Sequence, residues 1–286
     1  MSAFPALARY ESSLLLGAVA AYGIAMIWLW IQLFFRSNEP ALEARPSSGS
    51  ATLRGRALLG VGALLHLLAL VGQGASLFTV KVGVAGLFGW VLVVVYLLIG
   101  QRVGRASLGA FVTPVALLAA LYSLTAPLLH PATPAREQLE APWLMTHVVT
   151  LLGGYVALAF AFAASLIYLL QEGLLKRKQL TGLWQRLPSL QVADDLIYRA
   201  TAFGLAMLTL GLFIGIVWQQ RHHQHYAVLH DPKVLFSIAT WVTFALYLGA
   251  REVLGWRGRR TNLVVVYGFV LLFISFLGTR HVLPSP

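Results

Sequence analysis

Eight apolar runs, each long enough to cross a lipid bilayer, set the limits on what this chain can fold into. Their cores lack Asp, Glu, Lys and Arg, and such residues occur only at edges, as with Arg199 and Arg280. A helix of about 20 residues crosses the hydrocarbon core and satisfies its own backbone hydrogen bonds there. We therefore expect an all-α polytopic membrane protein with eight transmembrane helices, forming a single integral membrane domain over residues 1–286. The expected spans are approximately 13–35, 57–77, 82–100, 107–129, 143–170, 199–218, 234–250 and 262–282.

Composition agrees with this reading and excludes several classes of function. Hydrophobic residues make up 58% of the chain and charged residues 11%, against roughly 25% charged residues in a soluble domain. The mean hydropathy is +0.76. The net charge of +11 comes from short basic clusters between apolar runs, which is typical of membrane orientation signals rather than of a nucleic-acid groove. The chain has no cysteine, so disulfides and thiolate metal ligands are excluded.

The distribution of basic residues predicts the orientation. Fifteen of the 21 Lys and Arg residues fall in alternate connections on one side of the expected membrane, near residues 36–56, 102–105, 176–199 and 251–260. Basic loops face the cytoplasm in most membrane proteins. We therefore expect both termini to face outward, together with the loop between the sixth and seventh spans.

That loop is rich in histidine. It contains four of the chain's eight histidines, at positions 222, 223, 225 and 230. Asp231 is expected to cap the seventh helix, because aspartate is a common N-cap residue. Pro232 suits the first helical position that follows. An ordinary polar hairpin is one interpretation, but four imidazoles so close together favour a ligand site. His66 lies near the middle of the second span, where an ionisable residue indicates either function or an interhelical hydrogen bond.

Two further histidines stand at matching depth on different helices. His147 lies just inside the outer end of the fifth span, and His281 lies at the outer end of the eighth. Haem iron suits two imidazoles facing a flat apolar pocket, whereas zinc suits three or four converging histidines such as those of the loop. We expect Gly153, Gly154 and Gly268 to let the two helices approach. Four residues would supply aromatic walls and positive charge near a haem: Trp218, Phe276, Arg221 and Arg280.

Several stretches resemble a known family. The chain reads LIYRATAFGLAMLTLGLFIGIVWQ from Leu196, DPKVLFSIATWVTFALYL from Asp231 and GWRGRRTNLVVVYGFVLLFISFLG from Gly255. These stretches resemble the C-terminal half of CcsA-type cytochrome c assembly proteins, the superfamily that includes CcmC and CcmF. The resemblance implies a haem-handling protein of the bacterial or plastid inner membrane, with haem b as the expected cofactor.

The resemblance also implies roles for individual residues. His147 matches the family's first external haem ligand, and His66 matches a histidine that the family uses inside the membrane. Asp231 matches the end of the family's tryptophan-rich outer loop, but this loop contains no tryptophan, and Gly249 replaces a second intramembrane histidine. His281 comes earlier than the family's second external histidine. In these departures the chain is similar to the divergent HemX or YpjD branch of small eight-span relatives.

The sequence therefore predicts a haem-binding protein of the bacterial inner membrane with an outward-facing site formed by His147 and His281. It would act in cytochrome c biogenesis or haem homeostasis, with haem, the lipid bilayer and other assembly or haem-synthesis proteins as partners and without nucleic acid. No phosphate-binding loop or hydrolase motif is present, so we expect haem handling rather than catalysis. A haem-free regulatory scaffold, a small permease and a zinc-binding protein are the alternatives.

Overall fold

A computed structural model describes residues 5–35, 47–74, 81–103, 105–129, 141–179, 182–222 and 232–278. In these residues every regular element is helical, and no strand occurs. The helices are α1 (Pro5–Trp30), continued by a π-helical turn (Ile31–Phe35), α2 (Ser47–Gln73), α3 (Lys81–Val103), α4 (Arg105–Leu129), α5 (Ala141–Lys176), α6 (Leu183–Arg186), α7 (Leu190–His222), α8 (Pro232–Val253) and α9 (Arg259–Gly278).

Eight of these helices are long and apolar enough to cross a membrane, and α6 is the short exception. The expectation of an all-α, multi-pass membrane protein is therefore confirmed. Several helices begin well before the predicted spans: α2 begins at Ser47 rather than at 57, and α7 begins at Leu190 rather than at 199. The extra turns of α7 include Asp194, whose charge is paired as described below. The orientation of the termini stays a prediction.

The chain divides into two compact units, and the expectation of a single domain stays a prediction. The first unit comprises Met1–Arg136 with Leu170–Val192, and the second comprises Glu137–Leu169 with Ala193–Pro286. In the first unit, indole N–H groups connect helices, because an N–H group in lipid needs an acceptor within the protein. The Trp30 Nε1 donates to the Ala110 carbonyl at 2.7 Å, and the Trp90 Nε1 donates to the Ala63 carbonyl at 2.9 Å.

The π-helical turn at the end of α1 is capped from α6. The carbonyls that end a helix have no partner within it. Here the Arg186 guanidinium donates to the carbonyl of Leu33 at 3.0 Å and to that of Gln32 at 3.3 Å. A basic residue that sequence alone marks only as an orientation signal thus also satisfies backbone acceptors.

The second unit is held by aromatic and small-residue contacts. On α5 and α9, Phe162 and Phe269 stack with ring centroids 4.6 Å apart. Gly268 of α9 faces Phe244 of α8, and a Cβ there would lie 3.1 Å from the Phe244 ring. Many large side chains of this unit that face outward, such as Phe213, are apolar, as expected for lipid contact.

An ion pair joins α7 and α8 at the end of the helices opposite the histidine loop. The Arg251 guanidinium donates to both carboxylate oxygens of Asp194, at 2.9 and 2.7 Å. Its central carbon lies 4.8 Å from the centroid of the Tyr198 ring. The two charged side chains are only 8% and 16% exposed, and the two-pronged geometry offsets their desolvation. Asp194 can therefore lie on a spanning helix.

Candidate functional site

His147 lies in the second turn of α5, half-buried against α7. Three glycines of α7 form a glycine seam, against which side chains and backbone of α5 pack: Gly204, Gly211 and Gly215. The place of a Cβ on Gly211 is taken by the Leu151 side chain, and the place of a Cβ on Gly215 is taken by the His147 Cε1, at 2.7 Å. Further along the seam, a Cβ on Gly154 would lie 3.1 Å from the Gly204 carbonyl oxygen. The absence of side chains at Gly211 and Gly215 lets the imidazole lie on the α7 backbone.

The His147 imidazole is held by a backbone carbonyl. Its Nδ1 lies 2.8 Å from the carbonyl oxygen of Gly211. A carbonyl oxygen only accepts hydrogen bonds, so the Nδ1 must carry the proton and donate. In a neutral imidazole the Nε2 then keeps its lone pair. This arrangement suits a metal ligand, because metal-bound histidines almost always donate their other ring N–H to a carbonyl, a carboxylate or water.

Two other residues expected at the site lie around the same end of α5 and α7. The exposed Arg221 places its guanidinium carbon 5.6 Å from the centroid of the Trp143 ring, within the range of a cation–π interaction. Trp143 precedes His147 by one helical turn. Trp218 is half-buried on α7, three residues beyond Gly215. Arg221 thus supplies positive charge near the helix end that carries His147.

His66 lies in the first unit and is fully buried on α2. Its Nδ1 is 3.3 Å from the hydroxyl oxygen of Tyr22, which is also fully buried. Its Nε2 has no hydrogen-bond partner among the described residues. A Cβ on Gly86 would lie 3.4 Å from this Nε2 and 2.9 Å from the Ser123 Oγ. The imidazole therefore faces Tyr22 with one nitrogen and a surface formed by Gly86 and Ser123 with the other.

Three of the expected site residues, His281, Arg280 and Asp231, lie outside the described residues. The pairing of His147 with His281 consequently stays a prediction. The side chains of the four loop histidines, which a zinc site would need, also lie outside the described part of the chain. Among the described residues, no three His, Asp or Glu side chains come together as a metal site.

Phe276, expected as an aromatic wall, is a buried residue of the described chain. Its ring packs edge to face on Tyr155, with centroids 5.3 Å apart. Sequence reasoning missed Tyr22 as the partner of His66, because no pattern in α1 distinguishes it from the other aromatic residues of that helix. It also missed Gly211 and Gly215, against which the His147 side chain packs. The spacing of these glycines was the signal that could have found them.

Comparison with known proteins identifies the family of the chain. The model of a family described as cytochrome c assembly protein matches residues 80–285. This match covers both the histidine-bearing α5 and the glycine seam of α7.

The chain belongs to the cytochrome c assembly protein family. Among its relatives, the cytochrome c biogenesis protein CcsA of Chlorella vulgaris is 30% identical over 221 residues, which is 67% of this chain and 70% of that protein. CcsA of Synechococcus elongatus is 28% identical over 234 residues, covering 67% of this chain and 72% of the relative. CcsA of Chlamydomonas reinhardtii is 30% identical over 177 residues, 60% of this chain and 48% of that protein. No solved structure matches this cytochrome c assembly protein.

Proposed function

We propose that this chain binds haem in cytochrome c biogenesis or haem homeostasis, with His147 as an axial ligand of the haem iron. The supporting observation is the 2.8 Å hydrogen bond between the His147 Nδ1 and the Gly211 carbonyl. It fixes the proton on Nδ1 and leaves the Nε2 lone pair for a metal. The names of the relatives, which are cytochrome c biogenesis proteins, support the cellular role.

The residues around His147 fit a haem. The half-buried imidazole lies at an end of α5 rather than in the middle of the span, so a ligand can reach it from the membrane boundary. Arg221 on the same side would bind a propionate carboxylate, because a guanidinium forms charge-assisted hydrogen bonds with carboxylates. Haem would supply the iron centre that is delivered to a cytochrome, and the chain would bind and orient it.

His281 is the second axial ligand in this proposal, and Arg280 is a second counter-charge. The support comes from the sequence, in which His281 follows α9. Helix α9 packs on α5, the helix that carries His147. Phe162 and Phe269 hold those two helices together. His66 belongs to the other unit and is treated separately below.

The proposed site faces outward from a bacterial inner membrane. Fifteen of the 21 Lys and Arg residues mark the opposite side as cytoplasmic. Reporter fusions after residues 45, 180 and 257 should give cytoplasmic signals, and fusions after residues 137 and 225 should give external ones. A cytoplasmic signal at residue 225 would contradict the outward-facing site.

The visible spectrum of the protein, purified in mild detergent, tests the proposal directly. We expect a six-coordinate, low-spin haem spectrum in the wild-type protein and a five-coordinate spectrum in His147→Gly. Added imidazole should restore the first spectrum, because it fills the position of the missing side chain. Thr146→Gly is the matched control, since it puts the same helix-weakening glycine at a neighbouring exposed position.

The outcomes separate the alternatives. A pyridine haemochrome assay that finds no haem in folded wild-type protein would refute the proposal and leave the haem-free regulatory scaffold. An unchanged spectrum in His147→Gly would remove His147 as the ligand. An unchanged spectrum in His281→Gly alone would move the second ligand to a loop histidine such as His223 or His230.

A further inference from the structure

The His66 imidazole is enclosed between three helices of the first unit. His66 and Tyr22 are both 0% exposed. The Tyr22 ring occupies the place that a Cβ on Gly62 would take, only 2.6 Å from its Cε1. The Nε2 packs close to Gly86, 3.4 Å from the place that a Cβ on this glycine would take. An imidazole buried this deeply in an apolar interior is neutral, so one of its nitrogens carries a proton and the other carries a lone pair.

The partner of the Nδ1 is a hydroxyl group, which can donate or accept. Tyr22 makes no other hydrogen bond among the described residues, and the His66 Nε2 makes none there. Two arrangements are therefore open. The Tyr22 hydroxyl donates to a bare Nδ1 while the Nε2 carries the proton, or a protonated Nδ1 donates to the Tyr22 oxygen while the Nε2 is bare.

The two arrangements leave different groups unpaired. A phenol donates strongly and accepts weakly, because its ring withdraws the oxygen lone pair, whereas a bare imidazole nitrogen is a strong acceptor. Each arrangement leaves one donor and one acceptor unpaired in an apolar interior, where each carries a desolvation cost. If Tyr22 donates, the strong donor meets the strong acceptor, and the Nε2–H and the weak phenol oxygen are left unpaired. If Nδ1 donates, the unpaired groups are the strongly donating phenol O–H and the strongly accepting bare Nε2, so the first arrangement costs less.

We propose that Tyr22 is a positioning residue that fixes His66 in the tautomer with the proton on Nε2, so that His66 presents a hydrogen-bond donor rather than a metal-binding lone pair. The donor points to the surface formed by Gly86 and Ser123, where a Cβ on Gly86 would lie within 3.4 Å of the His66 Nε2 and 2.9 Å of the Ser123 Oγ. An Nε2–H binds hydrogen-bond acceptors such as carboxylate or carbonyl oxygens. A metal ion does not bind this nitrogen while Tyr22 donates.

The tautomer can be measured without haem, so the inference stands or falls separately from the proposed haem site. The full chain, with histidine labelled with ¹³C and ¹⁵N, is placed in lipid nanodiscs at neutral pH for solid-state NMR. Protonated and bare ring nitrogens resonate far apart, and the ring carbons distinguish Nδ1 from Nε2. His66→Leu identifies the His66 signals by their loss. We expect a protonated Nε2 and a bare, hydrogen-bonded Nδ1.

Two variants test the role of Tyr22. Tyr22→Phe keeps the ring against Gly62 but removes the donor, so the His66 Nδ1 resonance should move away from its hydrogen-bonded position. Tyr96→Phe is the matched control: Tyr96 is also a buried tyrosine of the first unit, and its hydroxyl lies against Gly109. It should leave the His66 signals unchanged. A protonated Nδ1 in the wild-type protein would overturn the proposal even if Tyr22→Phe fails to fold, and an unmoved Nδ1 resonance in folded Tyr22→Phe would overturn the role of Tyr22.

Discussion

His147 and His66 are both histidines on spanning helices, and both use Nδ1 for an internal hydrogen bond, yet their partners are of different kinds. The partner of His147 is a backbone carbonyl at 2.8 Å, which can only accept. The partner of His66 is a tyrosine hydroxyl at 3.3 Å, which can donate. His147 is half-buried near a helix end, whereas His66 is fully buried in the interior of its unit.

The difference shows that the position of a histidine in a membrane span does not by itself define its chemistry. A carbonyl partner holds the proton on Nδ1 and so keeps the lone pair on Nε2, which is the form that a metal ligand needs. A tyrosine partner that donates does the opposite and leaves Nε2 as a hydrogen-bond donor. The two histidines that the family resemblance singles out, one external and one inside the membrane, are therefore expected to present opposite groups to their ligands.

The largest effect is expected when the packing of His147 against α7 is disturbed without removing the histidine. In Gly215→Ala the new Cβ would lie 2.7 Å from the His147 Cε1, so the imidazole must move away from the Gly211 carbonyl. Overpacking of this kind costs about 1–3 kcal/mol. We expect haem affinity to fall about 30-fold, the equivalent of about 2 kcal/mol, as measured by titration of the detergent-purified protein.

Gly153→Ala is the matched control for that experiment. A Cβ on Gly153 meets nothing within 4 Å, so haem affinity should stay within about twofold of wild type. Equal affinities for the Gly215→Ala and wild-type proteins would show that the position of His147 on α7 does not matter for haem, and the contrast with His66 would lose its basis.

The fold was largely predictable because lipid imposes a simple rule on length and polarity. All eight predicted spans correspond to helices of the structure. What the pattern could not show was the neighbours of each helix. In a uniformly apolar helix such as α5 no polar face marks the outside, so Gly153 and Gly154 looked equivalent. In the structure Gly154 packs on α7, whereas Gly153 faces open space.

The candidate site was predictable only in part, for a related reason. The histidines stood out in the sequence because imidazoles are rare inside apolar runs. Their hydrogen-bond partners, a glycine carbonyl and a tyrosine hydroxyl, come from residue types that occur throughout the chain. Asp194 was hidden as well, because its charge is neutralised by Arg251, 57 residues further along the sequence. Sequence distance conceals such pairs.

A second test concerns the packing of Tyr22, the hydrogen-bond partner of His66, against Gly62. In Gly62→Ala the new Cβ would lie 2.6 Å from the Tyr22 ring and push the hydroxyl away from the imidazole. We expect the free energy of unfolding in detergent to fall by about 1–2 kcal/mol, with a displaced His66 Nδ1 resonance. Gly60→Ala, on the same helix, meets nothing within 4 Å and should be neutral or stabilising. Equal stabilities of the two variants would mean that Gly62 does not position Tyr22.

A third test asks whether His66 acts through a proton or a lone pair. His66→Gln can place an amide N–H near the position of Nε2 and keeps a donor, whereas His66→Met offers a thioether, which is a haem ligand without a donor. In cells that depend on this protein, we expect a lower level of c-type cytochrome with His66→Met than with His66→Gln, because only the glutamine keeps a hydrogen-bond donor. The reverse order would mean that His66 is a metal ligand.

The smallest effect is expected at Arg221, which lies over Trp143, one helical turn from His147. Its guanidinium lies over the Trp143 ring at 5.6 Å, and the side chain is exposed. An exposed cation–π pair contributes about 0.5–1 kcal/mol, and salt screens any attraction between Arg221 and a haem carboxylate. Arg221→Gln should therefore weaken haem binding by about twofold at moderate salt and by more at low salt. Arg257→Gln, an exposed arginine outside the helices, should show neither change. A loss as large as that of Gly215→Ala would instead show that Arg221 is a principal contact of the haem.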